Sequence, residues 1–501
     1  EAFMKQRWLA FVIIAISIGV AFIVGTHLPQ ELAPLEDRNE FFISATGPEG
    51  ATFEFMDEFV DSVNQMTLKV IPEMDALISV TSPGFGASTS INSAFFRANL
   101  VDASKRDSSQ SKIVQRYRKH LSDYTKARTF VAEPQSIGQG RSGLPVQYVI
   151  QAPNLDKLKE ILPAFLEKAR QDPTFNFIDV DLKFNKPEIK IEIDRDKARL
   201  LGISIQNIAQ TLQLGLSGQR FGYFIMNGQQ YQIIGQIIKQ KRNEPFDLRE
   251  LYVKNNNGKL IPMDNLISLE EQSTPPQLYR FNRYASATVA AGLAEGKTIG
   301  DGIEAMNRIK ADILDETYTT ALAGVSAEFQ ESSSNLFFAF IFAIVLIYLV
   351  LSAQFESFRD PFTIMFTVPL AIAGALFSLL LFNETINIFS QIGMIMLIGL
   401  VTKNGILIVE FANQRKARGH NTKDAIIGAA ELRFRPILMT SLSTILGILP
   451  IALALGAGAE SRVSMGIAVI GGLLFATILT LYVIPAIYSY LSGKQKRLAR
   501  M

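Results

Sequence analysis

A membrane α-helical bundle of six spans, arranged one plus five, with an α+β region of ferredoxin-like βαβ units and an insertion, is the fold class the sequence predicts. Three observations lead there. Apolar residues gather in one run near the start of the chain and five near its end. The polar block between them alternates strand and helix patterns. Lysine and arginine in the short connections fall almost wholly on one side of the apolar runs. At 48% hydrophobic and 19% charged residues over 501 positions, the chain is too apolar for an ordinary soluble protein.

The first span is Trp8–Thr26, long enough at about 1.5 Å per residue to cross a hydrocarbon core of roughly 30 Å. Lys5 and Arg7 ahead of it imitate a signal peptide. The run is long, however, and "GTHLPQELAP" makes a poor small-residue cleavage site, so the span is predicted to be retained. The chain opens on Glu1 rather than Met, which points to a piece of a longer protein.

Two similar units follow between Asn39 and Glu133. "NEFFISATG", "FEFMDEFVDSVNQMTLKVI" and "ALISVTS" read as strand, amphipathic helix and strand, and "AFFRANLVD", "KIVQRYRKHLSDYT" and "ARTFVAE" repeat the order. A doubled βαβ unit of this length predicts a ferredoxin-like split sheet with helices on one face. "PVQYVIQA", "LDKLKEILPAFLEKARQ" and "FNFIDVDLKF" begin a second such unit, which "SATVAAGLAEG" and "TIGDGIEAMNRIKADI" complete. Between these parts lies an insertion, 187–274, with a β-rich stretch whose "NNNGK" is a hairpin turn. "AGLAEGKT" (Ala291 to Thr298) imitates a phosphate-binding loop, but Ala291 stands where the first glycine belongs, and it reads as a plain strand-to-helix turn.

The five later spans are Leu336–Ala353, Pro361–Phe382, Ile388–Phe411, Pro436–Leu455 and Val463–Tyr490. Lys5, Arg7, Arg359, Arg415, Lys416, Arg418, Lys423, Arg433, Arg435, Lys494, Lys496, Arg497 and Arg500 fall on one side, and only Arg462 lies in the short loops of the other. Both ends of the chain are therefore predicted to be cytoplasmic and the block 28–335 to be exported. A net charge of +2 implies no nucleic-acid partner. The absence of cysteine excludes disulfides and cysteine-bound metal. No HExxH or GxSxG occurs and histidines number three, so neither hydrolytic nor metal chemistry has support, and no metal site, catalytic residue or cofactor is expected.

Within the fourth span "GLVTKNGILIVEFA" (Gly399 to Ala412) buries Lys403 beside Asn404 in an otherwise oily helix. A mid-membrane charge costs about 3 kcal/mol and normally faces a partner or a water-filled interior. Snorkelling is the plain alternative, but the predicted cytoplasmic end lies about 12 Å away by helix rise. Glu410 is about 10 Å along the same face, too far for a direct pair. The middles of the six spans hold no Asp or Glu, so the counter-charge must come from outside this sequence. An amine awaiting carboxylates is what half of a proton relay would look like.

"GLVTKNGILIVEFA" together with "LRFRPILMTSLSTILGILPIALALGAGAESR" resembles the C-terminal half of resistance-nodulation-division (RND) efflux transporters of the hydrophobe/amphiphile multidrug branch, and the resemblance covers essentially the whole chain. It implies proton-driven export of hydrophobic or amphiphilic compounds from the periplasm or inner membrane, with protons as coupling ion and no other cofactor. It implies an N-terminal half carrying the proton-accepting aspartates, a homotrimer in the bacterial inner membrane, a periplasmic adaptor and an outer-membrane channel. By the same resemblance Lys403 pairs with those aspartates, and Asn404, Arg433 and Thr440 occupy the other relay positions. Arg433 also reads as a positive-inside anchor. "SPGFGASTS" (Ser82 to Ser90) matches the family's switch loop, with Gly84, Phe85 and Gly86 as substrate-contacting candidates, although Ala87 stands where many relatives have a second Phe. Phe95 or Phe96, and Phe130, are candidate pocket aromatics, with core packing as the equal alternative.

On this reading the chain divides into a cytoplasmic end and first helix (1–27), a first porter subdomain (28–140), a second in two parts (141–186 and 275–335) interrupted by a docking subdomain (187–274), five helices (336–490) and a basic tail (491–501). Metal, lipid or protein export within the same superfamily, and a non-transporting membrane receptor, are the other readings.

Overall fold

The computed structural model describes residues 4, 6–83, 91–135, 137, 144–238, 248, 250–275, 277–455 and 458–492. The chain divides into two compact units: Leu182–Leu278, and the larger Glu1–Asp181 with Tyr279–Met501.

The larger unit opens with helix α1 (Leu9–His27), apolar all round and exposing Ile16 and Phe22. Its first sheet is built from β1 (Glu40–Thr46), α2 (Phe53–Val70), β2 (Met74–Thr81), β3 (Ser93–Leu100), α3 (Gln110–Leu121) and β4 (Arg128–Ala132). The strand order is β2-β3-β1-β4, antiparallel throughout. Thr52 caps α2 by accepting the Phe55 N–H at 3.3 Å. Met56, Phe59, Val60 and Val63 recur at helical spacing and bury one face of α2 against the sheet. There they meet Phe41 and Ile43 of β1, Phe96 and Ala98 of β3, and Ile113 and Tyr117 of α3. The Tyr117 hydroxyl pairs with Thr67 at 2.8 Å, and burial pushes its phenol up to about 12.

The second sheet begins with β5 (Val146–Ala152), α4 (Leu155–Gln171) and β6 (Phe175–Val180). In sequence the smaller unit comes next: β7 (Lys186–Ile193), α5 (Arg195–Leu200), α6 (Ile205–Leu216), β8 (Gln219–Met226), β9 (Gln229–Gly235), β10 (Tyr252–Lys254), β11 (Leu260–Pro262) and β12 (Ile267–Thr274). Its strands pair as β7 with β12, β8 with β9 and β10 with β11. A core of Ala198, Ile208, Val253, Met263 and Leu266 is shared by α5, α6, β7 and β10–β12, whereas β8 and β9 are almost wholly exposed. The Asn255 N–H donates to the Lys259 carbonyl at 2.9 Å, closing the β10–β11 hairpin. The second sheet then resumes with β13 (Arg280–Phe281), β14 (Tyr284–Leu293), α7 (Ile299–Ile313) and β15 (Thr319–Leu322), in the order β13-β14-β5-β15 with β6 on β14. The turn that imitates a phosphate loop ends in Thr298, which caps α7 in a reciprocal box with Asp301.

Helices α8 (Gly324–Phe355), α9 (Arg359–Met365), α10 (Thr367–Leu381), α11 (Ile388–Ala417), α12 (Thr422–Ala452) and α13 (Val463–Leu491) complete the chain. With α9 and α10 counted together, six helices among the described residues are long and apolar enough to cross a membrane. Three of them exceed the predicted spans. Helix α8 starts at Gly324 rather than Leu336, α11 runs past Phe411 to Ala417, and α12 starts at Thr422, leaving Pro436 in its interior. An apolar run marks only the part of a helix that lipid can cover, whereas polar residues of good helix propensity carry the backbone pattern beyond it. Packing is uneven. The α9–α10 pair and α13 are central, with 61% of their spanning residues buried, against 6% for α8 and 11% for α12. The centre closes through small residues: a Cβ on Gly471 would stand 2.3 Å from that of Ser378, so the α13 and α10 backbones approach as only glycine permits.

Candidate functional site: the two faces of helix α11

Asn387 caps α11 by accepting the Ser390 N–H at 3.0 Å, and the helix that follows has two unlike sides. Leu397, Ile398, Val401, Thr402, Asn404, Gly405, Ile408 and Val409 are buried against the neighbouring helices. Ile392, Met396, Gly399, Lys403, Glu410 and Gln414 form an exposed stripe at a spacing of three, four or seven residues, the repeat of one helix face. Lys403 is the cation of that stripe, flanked along the axis by apolar or small residues. Among the described residues it makes no hydrogen bond or ion pair. Glu410, the carboxylate on the same stripe, bonds instead to Gln414 at 3.0 Å.

Asn404 faces the other way. It is 2% exposed, and its Nδ2 donates to Ser441 Oγ of α12 and Thr477 Oγ1 of α13, both at 3.4 Å. Thr477 in turn donates to Ser441 at 3.0 Å. These three side chains tie three helices together at one level. Neighbours in sequence, Lys403 and Asn404 are thus parted by the 100° turn between successive helical residues.

Arg433 lies inside α12, not in a loop. Its guanidinium carbon sits 4.6 Å from the centre of the Phe411 ring, and its Nε is buried without a hydrogen-bond partner among the described residues. The Thr440 hydroxyl donates to the Ile437 carbonyl at 3.2 Å, which leaves its oxygen able to accept a further bond. Ser441 and Thr477 were not singled out by sequence reasoning. Their signal was a hydroxyl in the middle of an apolar run, which marks a helix contact as readily as a site.

In the first sheet Phe95 and Phe96 separate. Phe96 is fully buried between sheet and helices, which removes it from the pocket candidates in favour of the core. Phe95 lies opposite Ser44 of β1, and Ser44 also lies opposite Phe130 of β4, so Phe95 and Phe130 share the face that α2 and α3 leave open. Phe95 stacks on Phe42 at 5.6 Å between ring centres, and Phe130 meets Phe177 of the second sheet at 5.9 Å. Arg128 and Asp179, 3.8 Å apart, accompany that contact. Gly84, Phe85 and Gly86 lie outside the described residues.

The chain matches the AcrB/AcrD/AcrF family over residues 1–492. A protein of Haemophilus influenzae named only as an uncharacterised transporter is 32% identical over 502 residues, covering 99% of this chain and 48% of that protein. Multidrug resistance protein MdtC of Photorhabdus laumondii is 29% identical over 487 residues, with 96% of this chain and 46% of the relative covered. MdtC of Proteus mirabilis is also 29% identical, over 501 residues, with 99% and 48% covered. The chain spans about half the length of these relatives.

Proposed function

Because the chain belongs to the AcrB/AcrD/AcrF family of RND transporters and is a multi-pass membrane protein, we propose that it is the C-terminal half of a proton-driven exporter of hydrophobic or amphiphilic compounds. The observation that carries this reading is Lys403: a cation in mid-helix, on a face this chain leaves uncovered, with no counter-charge among the described residues. A missing half that presents carboxylates to that face would complete a charge switch. Charged, the carboxylates hold the ammonium; protonated, they release it, and the helices shift. Each proton moving inward supplies about 2.3 kcal/mol per 100 mV of membrane potential. Arg433, whose Nε has no hydrogen-bond partner among the described residues, and Thr440, with acceptor capacity, are the further relay members. Asn404 serves the relay by fixing the rotation of α11, not by touching the proton.

The two sheets act as porter subdomains of ferredoxin-like type and Leu182–Leu278 as a docking subdomain. The open sheet face bearing Phe95 and Phe130, with the loop that holds Gly84, Phe85 and Gly86, forms the substrate surface. A homotrimer in the inner membrane, a periplasmic adaptor and an outer-membrane channel complete the machine.

The test is accumulation of a fluorescent amphiphile in cells stripped of their own pumps. The cells express the full parent gene, wild type or Lys403→Met, with its adaptor and channel, with and without an uncoupler. The expected result is uncoupler-sensitive extrusion that the substitution abolishes. Equal extrusion by both proteins would overturn the relay. Equal accumulation with or without the wild-type protein would overturn amphiphile export.

A further inference from the structure

Between α1 and β1 the chain crosses the ends of other apolar helices, and the crossing is stitched. Gln30 and Ile386 form a parallel β-bridge. Around it the Ile386 N–H donates to the Pro29 carbonyl at 2.9 Å, the Glu31 N–H to the Ile386 carbonyl at 3.1 Å and the Ile388 N–H to the Leu32 carbonyl at 3.2 Å. A short ladder thus ties the linker to the loop between α10 and α11. On the linker's other side the Gly300 N–H, in the first turn of α7, donates to the Gln30 carbonyl at 3.2 Å. Pro29–Leu32 therefore grips the helix bundle and the second sheet's helix layer at once. Movement of one passes to the other through this strip only while the ladder holds.

Side chains extend the ladder. Ser464, at the start of α13, donates its hydroxyl to Asn387 Oδ1 at 3.0 Å, and Asn387 Nδ2 donates to Thr385 Oγ1 at 3.0 Å. The Thr385 hydroxyl, having accepted there, donates to the carboxyl of Glu31. The chain of bonds ends on a half-buried acid, and Glu384 is next to Thr385 on the loop and two residues before Ile386, whose carbonyl takes the Glu31 N–H.

We propose that this strip is a pH-sensitive joint between the helix bundle and the sheet-bearing region, closed while Glu31 or Glu384 holds a proton and loosened when both are charged. Two like charges held together by a backbone ladder repel, and one proton removes the repulsion. Burial holds Glu31 above the usual carboxylate range, and burial followed by the charge of Glu31 does the same for Glu384. Both shifts are upward. Their contribution to closure is therefore complete below the usual carboxylate value and is lost as pH rises through the raised values. Three other titratable groups on the packed elements have partners of their own. The His27 ring nitrogen faces the Ile23 carbonyl, Asp301 holds Thr298 and Glu460 accepts from the Asp37 N–H. Arg462 is exposed. The joint does not depend on Lys403, so it stands or falls apart from the relay.

The test is hydrogen exchange of the full gene product in lipid nanodiscs, followed in peptides covering 28–33 and 384–389 and corrected for intrinsic rates. Wild-type protection of both peptides is expected to fall by about tenfold between about pH 5 and pH 8, with peptides from the middle of α13 unchanged. Glu31→Gln keeps an acceptor for Thr385 without the charge and is expected to flatten the profile at the protected level. Glu384→Gln, which serves also if the first variant does not fold, removes the same repulsion and is expected to flatten the profile likewise. A pH-independent wild-type profile would overturn the joint, as would a wild-type transition retained in either variant.

Discussion

The two faces of α11 follow opposite rules. On the inner face polar groups are few and answered within the chain: Asn404, Ser441 and Thr477 bond to one another. On the outer face Lys403 has no partner among the described residues and apolar or small neighbours along the axis. The first sheet repeats the division, with Phe96 locked under α2 and α3 and Phe95 on the open side. The difference teaches where to look for function. A face finished by the chain's own residues specifies the fold, and a face left open is where a partner half, a proton or a substrate can act.

Breaking the outer face should have the largest effect. Lys403→Met is expected to reduce extrusion to that of cells without the pump, while thermal unfolding of the purified full-length protein changes little, because Lys403 makes no hydrogen bond or ion pair among the described residues and carboxylates left without it can take up protons. A Tm lowered in step with activity would show that the outer face is structural too.

The sheet offers the reverse experiment. Phe96→Ala should cost about 3–5 kcal/mol through lost burial and a residual cavity. It should appear as a lower unfolding temperature and reduced expression for every substrate alike. Phe95→Ala should leave stability nearly intact and change which compounds are exported, read as a shift in relative susceptibility across a drug panel. Equal stability losses in the two variants would erase the distinction between the faces.

Next comes the small-residue seam. A Cβ on Gly466 would stand 2.7 Å from the Ala452 backbone nitrogen, so Gly466→Val must push α13 off the end of α12. Overpacking of this kind costs about 1–3 kcal/mol, measurable as a lower midpoint in denaturant.

The smallest expected effect is that of Asn404→Ala, because Ser441 and Thr477 keep their mutual bond. Hydrogen bonds between membrane helices average about 0.6 kcal/mol, and a stability loss of that order with partial retention of export is expected. Complete loss of export with unchanged stability would move Asn404 from the inner rule to the outer one.

Much of this architecture was legible in the sequence, for identifiable reasons. Apolar length counts residues against the fixed thickness of a bilayer, and it located the six helices among the described residues that are long and apolar enough to span one. Alternation and helical spacing marked the strands and helices of the first sheet and most of the second, since period two and period 3.6 follow from backbone geometry, but the short strands β13 and β15 gave no such pattern. The ends of α8, α11 and α12 were not legible, because helix propensity continues where hydropathy stops. At the site, Lys403 was legible because a charge is costly in lipid wherever it lies. Ser441 and Thr477 were not, because a hydroxyl in an apolar helix can satisfy itself on its own backbone, as Thr402 does on Ile398 at 2.9 Å.

By itself, then, the sequence determined the spanning segments, the place of the β-rich block between them and the presence of an amine that needs a partner, because each follows from composition along one dimension. Only the tertiary structure decided that Asn404 belongs to the bundle and Lys403 to the uncovered face, that Phe95 and Phe96 lie on opposite sides of a sheet, and that Glu31 meets Thr385. Those outcomes depend on which surfaces pack together, and burial is a property of neighbours that are distant in the chain.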